Sequence, residues 1–296
     1  MISTALLTIK IGLDPELFEV AGLEITWHGL FTALGVVVGV AVAAAFARRV
    51  GYREEMIYNV ALALVIGGII GARGLYVIEN WGDGPGQVDS LGEVLSINTG
   101  GISIYGALIG GTVGAWGYAV LAKVPNIPRG ADVAVMGAIL GMATGRIGCF
   151  INGDIFAETT SLPWGVLYTH SGSPGFQAGF TEAQHPAVAY ELLGDVVIFL
   201  VLALIYSRVR RDGVTFFSWV LLYGALRVGV SFLRLDELVW MGLRTAQLIA
   251  IVTMALAVPA IVYLLRTPPQ EMRLSRAERR RLMREEEVEG EPSQGG

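Results

Sequence analysis

The chain has 296 residues, of which 53% are hydrophobic and only 16% charged, against roughly a quarter charged in a soluble domain. Its net charge of −5, carried mostly in loops and tails, argues against nucleic acid as a partner. One cysteine, Cys149, excludes an intrachain disulfide or a multi-cysteine zinc cluster, and three histidines are too few for most metal sites, so neither a metal nor a cofactor is expected.

In chain order, residues 1–25 hold a short apolar run with no basic stretch before it and no small-residue cleavage site after it. This reads as an extracytoplasmic segment and not as a cleaved signal peptide. Stretches long enough for spans of about 20 apolar residues follow at 26–47, 56–79, 102–122, 131–151, 186–206, 214–233 and 245–265. The expected fold class is therefore all-α, a polytopic bundle of about seven transmembrane helices in a membrane domain over 26–265. The fourth span runs into the polar stretch TGRIGCFINGD, which leaves a re-entrant or broken helix as an alternative there. Residues 266–296 form a charged cytoplasmic tail, partly helical and then disordered. The 39 glycines suit close helix packing in lipid.

Basic residues in the short loops set the orientation. Arg48, Arg49 and Arg53 follow span one, Lys123 and Arg129 span three, Arg208, Arg210 and Arg211 span five, and Arg266 span seven. The loops 80–101 and 152–185 carry no Lys or Arg, and the loop after span six has only Arg234 and Arg244 near its ends. This alternation puts the amino terminus outside and the carboxyl terminus in the cytoplasm. No internal repeat supports a secondary transporter. Trp81, Trp164, Tyr168, Phe176 and Phe180 in the outer loops suit an interfacial belt or a lid.

An arginine inside a span costs at least about 2.5–3.5 kcal/mol on insertion scales, so it snorkels, pairs or lines a polar cavity. Arg73 in GARGLYVIE can snorkel; Arg146 in GRIGCFING and Arg227 in YGALRVGVSFLR are harder to place in that way. Arg146 stands between Gly145 and Gly148, with Asn152, Gly153 and Asp154 following. Guanidinium, amide and carboxylate with small neighbours make a polar pocket, and the planar guanidinium fork suits phosphate. A salt bridge to Asp154 or Glu191 is the competing structural account. Trp27 and His28 open span one, Tyr105 opens span three among glycines, and His185, Tyr190 and Glu191 open span five, with Pro186 suited to its first helical position. In span six Tyr223 and Arg227 share a helix face, with Ser231 one turn on. All of these lie towards the outer leaflet. Cys149 reads as a small buried side chain rather than a nucleophile.

These segments, from TWHGLFTALG through GRIGCFINGDIFAETTSLPWGVLY and HPAVAYELL to LYGALRVGVSFLR and GLRTAQ, resemble in order and spacing the prolipoprotein diacylglyceryl transferases. The family signature, Gly-Arg-x-Gly-Asn-Phe-x-Asn-Gly-Glu followed by glycine three residues later, here reads Gly145 to Asp154, with Ala157 in the last place. The resemblance implies transfer of the diacylglyceryl group of phosphatidylglycerol to the lipobox cysteine thiol of a prolipoprotein, at the outer face of the bacterial plasma membrane. Its implied partners are phosphatidylglycerol, prolipoprotein signal peptides and membrane lipids.

By position, Arg146 and Arg227 match family arginines expected to hold phosphate, Asn152 and Gly153 match the signature core, and Tyr223 matches the tyrosine before the second arginine. His28, Arg73 and Glu191 are further expected substrate contacts, and Tyr105 and Asp154 further catalytic positions. The chain departs from the family at Tyr105, often histidine there and a candidate base, and at His28 (tyrosine), Cys149 (asparagine), Asp154 (glutamate) and Ser231 (glutamate). Neutral tyrosine, with an unperturbed pKa of about 10, is a poor base at neutral pH. The acceptor proton then goes to another group such as His28, Asp154 or Glu191, or leaves by other means, or the chemistry has diverged. A second class of reading is a phospholipid-binding or transport protein that keeps the arginines without transfer; a third is a purely structural bundle.

Overall fold

The computed structural model describes residues 8–20, 23–82, 88, 90–95, 101–209 and 211–267. The tail expected over 266–296 lies almost wholly outside the described residues. Among those described, seven helices are long and apolar enough to cross a membrane. They are α1 (Trp27–Arg49), α2 (Glu54–Glu79), α4 (Ile104–Leu121), α5 (Ile127–Asn152), α7 (Ala187–Arg208), α8 (Val214–Ser231) and α9 (Thr245–Arg266); α3 (Leu91–Leu95) and α6 (Pro174–Gln177) are short loop helices. The protein is a multi-pass helical membrane protein.

All seven expected spans are present, with ends shifted by a few residues. The fourth shows neither break nor re-entry: α5 runs unbroken to Asn152 and stops at Gly153, whose φ of 75° is left-handed, the backbone state that glycine adopts without steric cost. Pro186 stands just before α7 as its N-cap residue and not as its first helical residue.

Short strands decorate the bundle. β1 (Ile9–Ile11) pairs in parallel with β4 (Val166–Tyr168), β2 (Glu16–Val20) pairs antiparallel with β3 (Leu23–Thr26), and β5 (Leu238–Trp240) pairs with β6 (Leu243–Arg244). The β1–β4 ladder joins the amino-terminal segment to the loop after α5, a long-range pairing that single-sequence patterning does not reveal. Thr26 caps α1 by accepting from the Gly29 amide at 3.1 Å, and Trp27 Nε1 donates to the Asp14 carbonyl at 3.1 Å.

Glycine decides which helices pair closely. On α2 and α4, a Cβ at Gly71 would collide with the Gly106 carbonyl oxygen, and one at Gly110 with that of Gly67. On α1 and α5, Gly35 faces Gly141 and Gly39 faces Gly137 in the same way. Each helix carries its glycines at four-residue spacing, the small-xxx-small pattern that lets membrane helices pack backbone on backbone without a hydrophobic driving force. The centre of the bundle is a larger apolar cluster of Met136 and Ile139 from α5 with Ile198 and Leu202 from α7, covered by Trp219, Leu222 and Leu226 of α8. At the start of α8, Asp132 of α5 accepts from the backbone amides of Gly213 at 2.6 Å and Phe216 at 2.7 Å. It satisfies helix-terminal N–H groups that have no partner within the helix.

Gly71→Leu should overpack the α2–α4 seam and lower stability by about 1–3 kcal/mol, read as an earlier thermal transition of the detergent-solubilised protein. Gly117→Ala, on α4 but with nothing near its added Cβ, should leave the transition in place.

Candidate active site

Because the spans alternate in direction, the starts of α1, α4 and α7 meet the ends of α2, α5 and α8 at one end of the bundle. The residues expected to form the site lie towards that end, and most of them fall into three groups.

The first group is an ion network around Glu191, which is 1% exposed. Its two carboxylate oxygens each take one guanidinium, Oε2 that of Arg146 and Oε1 that of Arg227. Arg234 NH1 lies 3.7 Å from Oε1. Asp195, fully buried one turn further along α7, stands 3.9 Å from Arg146 Nε. Asp236 binds Arg234 through two contacts of 2.7 and 2.9 Å and lies 3.9 Å from Arg227. Tyr223 Oη accepts from Arg146 NH2 at 3.4 Å. Three guanidiniums thus face three carboxylates, so a charge set that would be prohibitive singly is neutralised in place. Desolvation pushes the Asp236 carboxyl up, but the hydrogen bonds and charge of Arg234 outweigh it and hold the group below the ordinary carboxylate range.

Of the two salt-bridge partners considered for Arg146, the structure supplies Glu191 and not Asp154. Asp195, Arg234 and Asp236 were not singled out from the sequence. Asp195 was legible in principle, four residues after Glu191 on the same helix face, whereas Arg234 and Asp236 sit past the end of α8 and read as loop charges.

The second group is the carboxyl end of α5. The Phe150 carbonyl accepts from Tyr168 Oη at 2.7 Å and the Asn152 carbonyl from Ser173 Oγ at 3.1 Å. Both are terminal carbonyls without a partner in the helix. Burial pushes the Tyr168 hydroxyl well above its ordinary range, in keeping with a permanent donor. A Cβ on Gly153 would lie 2.6 Å from the Tyr168 ring, so the signature glycine is required by both space and backbone angle.

Beside this end, α1 approaches α5 closely at Gly148, where a Cβ would meet the Trp27 carbonyl oxygen at 2.8 Å. That contact brings His28 over Cys149. His28 Nδ1 lies 2.8 Å from Asp154 Oδ2 and 3.5 Å from Cys149 Sγ; Asn152 Nδ2 lies 3.4 Å from the same Asp154 oxygen. The three ligand-type atoms of His28, Cys149 and Asp154 lie within 4.8 Å of one another, a grouping able to hold a metal ion. The sequence expectation of no metal weighed Cys149 and His28 separately, 121 positions apart. Cys149 is one turn from Arg146 on α5 and shares its face, so this group adjoins the ion network.

The third group is on the α2–α4 pair. Arg73 is buried and donates to the carbonyls of Val94 at 2.9 Å, Gly101 at 2.7 Å and Glu93, with its guanidinium 5.1 Å from the centre of the Tyr76 ring. It gathers the loop between the two helices. Tyr105 is in the first turn of α4, 36% exposed.

The family model described as prolipoprotein diacylglyceryl transferase matches residues 15–263. The chain belongs to the prolipoprotein diacylglyceryl transferase family. A phosphatidylglycerol–prolipoprotein diacylglyceryl transferase of Clostridioides difficile is 32% identical over 252 residues, 85% of this chain and 96% of that protein. One of Trichormus variabilis is 32% identical over 262 residues, covering 86% and 91%, and one of Clostridium tetani is 34% identical over 227 residues, covering 76% and 86%. In this diacylglyceryl transferase family member the matched region spans the whole bundle, so all three groups of site residues fall within it.

Glu191→Gln should leave two buried guanidiniums sharing a neutral amide. Loss of one partner of a buried pair costs about 3–5 kcal/mol, so a large drop in thermal stability is expected, against about 1 kcal/mol for Tyr168→Phe, which loses a single hydrogen bond. Comparable transitions for the two variants would contradict a central place for Glu191.

Proposed function

We propose that the protein transfers the diacylglyceryl group of phosphatidylglycerol to the lipobox cysteine thiol of prolipoproteins, releasing glycerol phosphate, and that Arg146 and Arg227 hold the departing phosphate. The observation that carries this reading is the pair itself: two guanidiniums from different helices, α5 and α8, turned towards one another across a single carboxylate in the apolar part of the bundle.

The reaction forms a bond from the thiol sulfur to the glycerol carbon that bears the phosphate. The bond from that carbon to oxygen breaks, and its electron pair stays on the phosphate oxygen. Negative charge on the phosphate grows in the transition state, and preorganised donors facing it lower the barrier. Glu191 keeps the arginines apart, oriented and from repelling one another before lipid arrives. A guanidinium has five N–H donors, so each arginine retains donors beyond the one engaged by Glu191. Tyr223 orients Arg146, and Asn152 and Gly153, held by the capped end of α5, line the approach to it. Arg73 shapes the loop over the α2–α4 pair.

The membrane is the bacterial plasma membrane, with the site facing the outer leaflet. The basic residues Arg48, Arg49, Lys123, Arg129, Arg208 and Arg211 follow spans one, three and five, and this positive-inside bias supports an outward-facing opposite end.

Incubation of the purified protein with phosphatidylglycerol and a lipobox peptide should add one diacylglyceryl mass to the peptide cysteine. Arg146→Ala should slow this by about 10²-fold or more, the scale of losing a charge-stabilising donor. Binding of phosphatidylglycerol without an adduct, beside an active relative as control, would favour the lipid-binding reading. For orientation, alkaline phosphatase fused within the loop 152–185 should be active, and the same reporter fused after residue 208 inactive.

A further inference from the structure

His28, Cys149 and Asp154 are three of the positions at which this chain departs from the family pattern, and the fold brings all three into one cluster. Both neighbours of His28 lie on the same imidazole nitrogen: Asp154 Oδ2 at 2.8 Å and Cys149 Sγ at 3.5 Å, each from Nδ1. A thiol–imidazole–carboxylate relay needs the sulfur and the carboxylate on opposite ring nitrogens, so that a proton can enter at one and be balanced at the other. Convergence of nitrogen, sulfur and oxygen on one point is instead the demand of a cation with three protein ligands.

We infer that His28 Nδ1, Cys149 Sγ and the Asp154 carboxylate form a three-ligand site for a zinc-class divalent cation, with a fourth coordination position open. Thiolate and imidazole select against magnesium and calcium, which prefer all-oxygen shells, and the mixed set suits zinc. The second carboxylate oxygen, Asp154 Oδ1, is buried with no hydrogen-bond partner among the described residues, leaving it free for bidentate ligation. His28 and Asp154 have side chains 43% and 26% exposed, so an ion has a path in. The tyrosine and asparagine that the family has at positions 28 and 149 provide no comparable nitrogen and sulfur pair, so the substitutions make sense together and not one at a time.

The role follows from the place, and rests on the transferase reading. The cluster adjoins Arg146, and the chain has Tyr105 where the family often has a histidine. A zinc ion here takes the acceptor cysteine as fourth ligand; its thiol proton leaves to water and its sulfur stays bound as thiolate. That sulfur forms the bond to the glycerol carbon while the carbon–oxygen bond breaks, and the electron pair departs with glycerol phosphate on Arg146 and Arg227.

Cobalt(II) is the probe, because a thiolate ligand gives it a charge-transfer absorption and Cys149 is the chain's one cysteine. Metal-stripped full-length protein in detergent should bind about one cobalt per chain, with that band, and lose it on addition of zinc. Cys149→Asn and the triple variant His28→Tyr/Cys149→Asn/Asp154→Glu, which carry the family's side chains, should show no band while retaining the wild-type thermal transition. No band from folded wild type, or a band that survives in Cys149→Asn, overturns the site. Chelation should slow transfer about 10²-fold, the scale of losing proton removal from a nucleophile, and zinc should restore it. Chelator-insensitive transfer with the band present overturns the role in thiol delivery and leaves the site standing. A normal band with no adduct under any metal condition defeats the transferase reading instead.

Discussion

A single carboxylate, that of Glu191, lies between the guanidiniums of Arg146 and Arg227 with almost no exposure to solvent. Without it, two like charges would sit in the apolar bundle with only the more distant Asp195 and Asp236, each 3.9 Å away, to offset their repulsion and lost hydration. With it, α5, α7 and α8 are tied at one level, and the same three helices build the central apolar cluster around Met136, Ile139, Ile198 and Leu202. The polar site and the core therefore constrain the same helices. An arrangement of this kind confers specificity more than stability, since helices that slipped or rotated would separate charges that have no other partner in lipid.

The helical framework was legible because lipid imposes a simple rule. Every span must be long and apolar enough to satisfy its own backbone, and the seven expected stretches each became one helix. The continuity of α5 was not legible, because the polar residues that suggested a break are the ones that line the site and cap the helix. Nor was the small β structure: a three-residue strand such as Ile9–Ile11 has no pattern of its own and exists only because Val166–Tyr168 lies alongside it.

The site was legible in part, and the division is physical. Arg146, Arg227 and Tyr223 announce themselves because charge and hydroxyl inside an apolar run demand a reason. Glu191 was expected as a substrate contact or as one of two alternative salt-bridge partners of Arg146, but not as the carboxylate shared with Arg227, since the sequence alone does not say which of several helices' charges meet. Asp195 could have been found from its four-residue spacing to Glu191, whereas Arg234 and Asp236 lie past the end of α8 and carry no span pattern to mark them. The His28–Cys149–Asp154 group is the sharpest case. Each residue alone reads as a departure from a signature or as a small buried side chain, and only the close passage of α1 over Gly148 turns three isolated departures into one chemical unit.

The cap that Asp132 places on the start of α8 bears on how that helix can move. At its other end the same helix is held through Arg227 by Glu191. A slide of one residue along the axis would advance Arg227 by about 1.5 Å and swing it through roughly 100°, breaking both attachments together. The helix is thus gripped like a rod in two collars: it can neither piston nor spin. If Arg146 and Arg227 hold the phosphate as proposed, lipids of different tail length would meet that pair at constant depth, with the variation taken up in the acyl region and not at the arginines.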